Sequence, residues 1–136
     1  MGKSRKLWLI VGSVVLLAGI IVGGRFLLER RVAPVVAVRV PTLTAKASMG
    51  EAEFVANCAS CHGKSAAGSD KGPPLVDQIY RPSHHGDFSF VRAVTLGVPQ
   101  HHWLFGPMPA QPQLGREQID QIVVYIRELQ RANGIR

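Results

Sequence analysis

The chain opens with an unbroken apolar run and then changes character. Residues 7–24, LWLIVGSVVLLAGIIVGG, contain no charged side chain, and Phe26, Leu27 and Leu28 extend the run past Arg25. As a helix, eighteen residues would span about 27 Å, close to the ~30 Å hydrocarbon core of a bilayer. The expectation is a transmembrane anchor over 7–28 behind a short cytoplasmic N-terminus, 1–6. A cleaved signal peptide is the competing reading. The run is longer than an ordinary h-region, and no small-residue cleavage site follows it closely. Further on, Ile119, Ile122, Ile126 and Leu129 recur at spacings of three and four, joined by Val123 and Tyr125. This pattern predicts an amphipathic helix over 116–133. Shorter helices are predicted over 49–57, with Phe54 and Val55 as its apolar side, and over 88–96, with Asp87 as N-cap and Gly97 just past the end. Residues 63–86 and 98–115 are punctuated by Gly and Pro and read as loops.

Residues 29–47, ERRVAPVVAVRVPTLTAKA, have no helical period, and Pro34 and Pro41 break any helix. They read as an extended linker, with a reach on the order of 50 Å at the polyproline rise. It would act either as a leash for a swinging domain or as a segment that docks on a partner subunit.

Charge sharpens this division. The 136 residues carry a formal +7. Residues 1–46 hold eight of the sixteen Lys/Arg and one of the nine Asp/Glu, so that segment alone accounts for +7 and residues 47–136 are formally neutral. Nucleic-acid binding needs a basic face on the folded domain, so no nucleic-acid partner is expected. Membrane lipid around the N-terminal helix is.

The chemistry lies in Cys58-Ala59-Ser60-Cys61-His62. C-x-x-C-H is the attachment motif for c-type haem. Cysteines at i and i+3 on a helical turn face one side, where each sulfur can add to one haem vinyl group, and His62 is then fixed beneath the ring. A zinc ribbon would need a second cysteine pair, and these are the only two cysteines. A thioredoxin-like pair would need a βαβ context. One covalent haem c is therefore expected, with Cys58 and Cys61 as its thioethers and His62 as one axial iron ligand. Covalent attachment takes place outside the energy-transducing membrane, which sets the expectation of a single-pass inner-membrane protein with its haem domain in the periplasm.

The opposite axial position has a small field of candidates. Met1 is the cytoplasmic start, and Met49 precedes Cys58 on the same expected helix. Met108 lies between Pro107 and Pro109, in a loop held extended before the last helix. It is the expected sixth ligand, and His/Met ligation raises a haem potential. His84, His85, His101 and His102 are the rivals for the iron. Together they could bind copper or zinc, or they could simply be solvated loop histidines.

Residues 50–133 resemble a class I mono-haem cytochrome c, in a membrane-anchored bacterial form. The resemblance rests on Gly50-x-x-x-Phe54, CASCH at 58–62, Gly72-Pro73-Pro74-Leu75, the Met108 loop and IVVYIREL at 122–129. It implies an all-α cytochrome c fold over 48–136, three to four short helices around one haem. It also implies that Phe54 and Tyr125 meet where the first and last helices cross near Gly50. The Pro73 carbonyl would accept a hydrogen bond from His62, and Leu75 would pack on the haem. Trp103 and Arg81 are candidates for contacting the haem propionates.

The function expected from these features is transfer of single electrons between redox partners, as a tethered shuttle or as a subunit of a respiratory or photosynthetic oxidoreductase. The domain has only two lysines, Lys64 and Lys71, so strong electrostatic steering is not expected. If Met108 does not bind, the alternative is a five-coordinate haem enzyme or a gas or peroxide sensor. So small a domain buries a marginal core alone, and haem supplies what the side chains lack. The variant Cys58→Ala/Cys61→Ala is therefore expected to be poorly folded by far-UV circular dichroism, judged outside the contribution of the N-terminal helix. A native-like, cooperatively melting spectrum would refute this.

Overall fold

In a computed structural model that describes residues 2–29 and 35–136, every element of regular structure is helical. The chain divides into two units, residues 1–32 and 33–136. In the first, helix α1 runs Lys3–Glu29. Its window Trp8–Arg25 has a mean hydropathy of 2.0 with none of it buried, so it is long and apolar enough to cross a membrane. Ser13, the polar side chain in the run, donates its hydroxyl to the Leu9 carbonyl at 2.9 Å. That bond satisfies the hydroxyl within the helix.

The second unit is built on helices α2 (Ala45–Asn57), α3 (Ala59–His62), α4 (Asp87–Leu96) and α5 (Arg116–Ala132), with single 3₁₀ turns at Lys64–Ala66 and Gln78–Tyr80. Helix α2 starts four residues earlier than the apolar pattern suggests. Thr44 is its N-cap, accepting from the Ala47 amide at 3.3 Å, while its own hydroxyl donates to Glu128 of α5 at 2.6 Å. At the start of α5, the Gln118 side chain reaches back to accept from the Gly115 amide at 2.9 Å. Helix α4 also begins one residue early, with Gly86 as the N-cap. Asp87 is not the cap; its carboxylate is taken by Arg127 at 2.8 Å.

Helices α2 and α5 cross at a glycine. A β-carbon on Gly50 would stand 2.0 Å from the Gln121 carbonyl oxygen, so only a bare backbone permits the approach. One turn on, the rings of Phe54 and Tyr125 meet at 5.5 Å, both fully buried, as the resemblance implies. Around them Ile119, Ile122, Ile126 and Leu129 form the apolar face of α5.

The extended segment is not a free linker along its whole length. Residues 30–34, including Pro34, lie outside the described residues. Residues 35–44 form no helix or strand but dock on the domain: Val36, Val38 and Leu43 pack against its core. The Val36 amide donates to the Ala67 carbonyl at 2.9 Å. Arg39 exchanges two 2.9 Å bonds with the Asn133 side chain, and its guanidinium donates to the Ala132 carbonyl. Alternation explains the docking, since Val36 and Val38 fall on one side of an extended chain.

Arg127 ties the central loop to α5. Its side chain is only 7% exposed. It donates to Asp87, to the Tyr80 carbonyl at 2.7 Å, to the Gln130 amide oxygen and to the His85 carbonyl. It also lies 4.8 Å over the Phe90 ring. Arg127→Met keeps the length but strands the carbonyls, and is expected to cost about 2–3 kcal/mol. The denaturant midpoint of the haem-loaded protein, at unchanged slope, measures it; a change within about 0.5 kcal/mol, the ordinary effect of a surface substitution, would contradict it.

Candidate functional site

The C-x-x-C-H residues sit on a deliberate kink. Cys58 closes α2, with its amide donating to the Phe54 carbonyl at 2.8 Å, and its φ of −121° turns the chain into the single turn α3. Within that turn the His62 amide donates to the Cys58 carbonyl at 2.9 Å. One short turn therefore carries Cys61 and His62 directly after Cys58. The two cysteines are not joined to each other; Cys58 is half-buried and Cys61 exposed. Burial, with a smaller contribution from Cys61, pushes the Cys58 thiol up to about 11.

His62 is oriented from behind. Its Nδ1 lies 2.9 Å from the Pro73 carbonyl. A carbonyl only accepts, so Nδ1 carries the proton and Nε2 keeps its lone pair, the tautomer a metal requires. Burial lowers the His62 pKa from its ordinary value, partly opposed by the bond to Pro73. The ring is thus held neutral as well as aimed.

Met108 is pinned by its backbone. Its amide donates to the Val98 carbonyl and its carbonyl accepts from the Val98 amide, both at 2.9 Å. Gly97 makes this possible: its φ is +75°, and a β-carbon there would stand 2.7 Å from the Met108 carbonyl oxygen. The side chain of Gln100 braces the loop by accepting from the Gly106 amide at 2.7 Å.

The attachment turn and the Met108 loop both line a cavity of about 510 Å³, inside the usual range of ~300–1,000 Å³ for cofactor sites. Cys58, His62, Pro73, Leu75 and Met108 all line it. Phe54, Ile122, Val123 and Ile126 contribute from the crossing of α2 and α5, and Phe90 and Val94 from α4. The lining is mainly apolar; the His62 Nε2 and the Met108 thioether are available for a metal, and His84, His85, His101 and His102 line the same cavity. Exposed Cys61 stands next to it, one turn from Cys58. This donor set suits a haem attached through two thioethers and ligated by nitrogen and sulfur.

Not every sequence candidate lies at the cavity. Met49 is half exposed on α2 and is not in the lining. Arg81 folds back on its own loop, donating to Ser83 at 3.1 Å and to the Gln78 carbonyl at 3.0 Å. Trp103 does line the cavity, and its indole N–H donates to the Tyr80 hydroxyl at 3.1 Å. Burial pushes the Tyr80 phenol up to about 12, with the Trp103 bond pulling the other way and Asp77 adding to the rise. Tyr80 and Phe90 line the cavity and Arg127 braces both, and none of the three is singled out by the sequence. A charged residue four positions from Val123, inside the apolar stripe of α5, was the available signal for Arg127.

Comparison with known proteins agrees with this geometry. The family model described as Cytochrome c matches residues 47–130. The chain is 34% identical over 83 residues to the Cbb3-type cytochrome c oxidase subunit FixP of Rhizobium meliloti (strain 1021). That stretch covers 59% of this chain and 26% of the relative, so the chain spans about a quarter of that protein's length. No solved structure matches.

Proposed function

The chain belongs to the cytochrome c family, and from that premise we propose that it is a membrane-anchored, periplasmic carrier of single electrons whose haem iron is held between His62 and Met108. Bound haem c supplies the chemistry, one-electron exchange between ferrous and ferric iron. The residues do the rest. Cys58 and Cys61 fix the ring through two thioethers, and Pro73 holds the His62 tautomer. Val98 and Gly97 hold Met108 in place, and Leu75, Phe54 and Ile126 exclude water. The observation that carries the reading is that one cavity presents both an imidazole aimed by a backbone carbonyl and a methionine locked by two backbone bonds. With both His62 and Met108 holding the iron, no position would be left there for substrate, which favours electron transfer over the enzyme or sensor alternative.

The electron-transfer partner is proposed to be a membrane oxidoreductase of which this chain is a subunit. The relative is named as an oxidase subunit, and docking of residues 35–44 on the domain removes about 30 Å from the leash the sequence suggests. A shorter leash suits a fixed station better than a long-range shuttle. Helix α1 would place the chain in the inner membrane, with the haem domain outside.

Met108→Ala is expected to abolish the weak red absorption band of ferric iron bound to thioether sulfur, to let CO bind the reduced protein and to lower the midpoint potential. Unchanged spectra would overturn the ligand assignment. The full chain is expected to remain with the membrane pellet through an alkaline carbonate wash, and a chain lacking residues 1–28 to be released; retention of the shortened chain would remove α1 as the anchor.

A further inference from the structure

Electron transfer makes no use of four imidazoles that two separate loops bring together. His84 and His85 follow the Gln78–Tyr80 turn, and His101 and His102 lie in the loop before Met108. Ring centres are 4.6 Å apart for His84 and His85, 5.2 Å for His85 and His102, and 5.5 Å for His84 and His102. One ring nitrogen from each of these three lies within 4.8 Å of the other two. A tetrahedral ion with Zn–N bonds of 2.0–2.1 Å needs nitrogens about 3.3 Å apart. His84 and His102 are exposed and free to close that gap by small rotations.

A second observation concerns orientation. The His85 Nδ1 lies 2.8 Å from the Ile79 carbonyl, and the His101 Nδ1 lies 2.9 Å from the Pro99 carbonyl. Each Nδ1 must therefore carry the proton, leaving Nε2 as a donor to metal. Backbone carbonyls set the tautomer of metal-binding histidines in this way, as Pro73 does for His62. The nearest acid in sequence, Asp87, is committed to Arg127 at 2.8 Å. An all-imidazole set of this kind suits zinc and copper(II) and disfavours magnesium and calcium, which prefer oxygen.

We propose that His84, His85 and His102 form a binding site for one zinc- or copper-class divalent cation at the exposed rim of the haem cavity. His101, with its ring 4.3 Å from that of His102, is the nearest further imidazole for a fourth position. The site does not depend on Met108 ligating the haem iron.

The test uses the untagged, haem-loaded full chain in detergent, stripped with EDTA and titrated calorimetrically with Zn²⁺. One equivalent is expected to bind, reversibly to EDTA, and the affinity to fall at least tenfold in His84→Ala and in His102→Ala, with the haem spectrum unchanged. Absence of saturable Zn²⁺ binding, or equal affinity in the His84→Ala/His102→Ala double variant, would overturn the proposal. So would Mg²⁺ binding as tightly as Zn²⁺. A changed haem spectrum in His102→Ala would assign that imidazole to the iron and overturn it too. Loss of the sulfur band in Met108→Ala is read separately, so the two assignments fail independently.

Discussion

The backbone contact between α2 and α5 is the constraint on which the haem domain turns. Because Gly50 lets the two helices touch at Gln121, the rings of Phe54 and Tyr125 meet at a tilt directly beyond the crossing. The same approach brings Phe54, Ile122 and Ile126 to the cavity wall. The chain then leaves α2 through Cys58 straight into the attachment turn, so the position of the thiols is set by the helix crossing. A side chain at position 50 would separate the helices and move the cavity floor and the attachment turn together. Overpacking of this kind is resisted because protein interiors have little slack.

The other side of the site depends on polar bookkeeping in a nearly dry place. The stretch over 75–87 has several carbonyls turned inward, and burying them without partners would be costly. Arg127 and Gln130 satisfy them: Gln130 donates to the Leu75 carbonyl at 2.8 Å, and Arg127 serves Tyr80 and His85. Among the described residues no buried side-chain nitrogen or oxygen lacks a partner. The loop that carries Tyr80, His84 and His85 is thus held by α5, the helix that also shapes the cavity floor.

Much of this was legible in the sequence because it rests on local spacing. The cysteines three apart with His62 next, the apolar rhythm of Ile119 to Leu129, and a methionine between two prolines each carry their meaning within a few residues. The Gly50–Phe54–Tyr125 contact and the His62–Pro73 bond came from resemblance, since nothing local pairs residues so far apart. What was missed depends on how loops travel. The pairs His84–His85 and His101–His102 left a shared metal site and solvated loop histidines both open, and only the chain path brings the His85 and His102 rings to 5.2 Å across the two loops. Arg127 drew no reading of its own, although its place in the apolar stripe marks it as buried. Val36 and Val38 alternate as a docked segment would, but the surrounding prolines and basic residues made the stretch look free. Asp87 was displaced from its expected cap because a buried guanidinium binds a carboxylate more strongly than helix amides do.

The clasp between Arg39 and Asn133 brings the point where the chain enters the domain beside the point where it leaves. A module whose two ends lie side by side can be spliced into a loop of another polypeptide without prying its host apart. The same geometry lets copies be strung one after another with only short joints, each keeping its own metal cofactor intact.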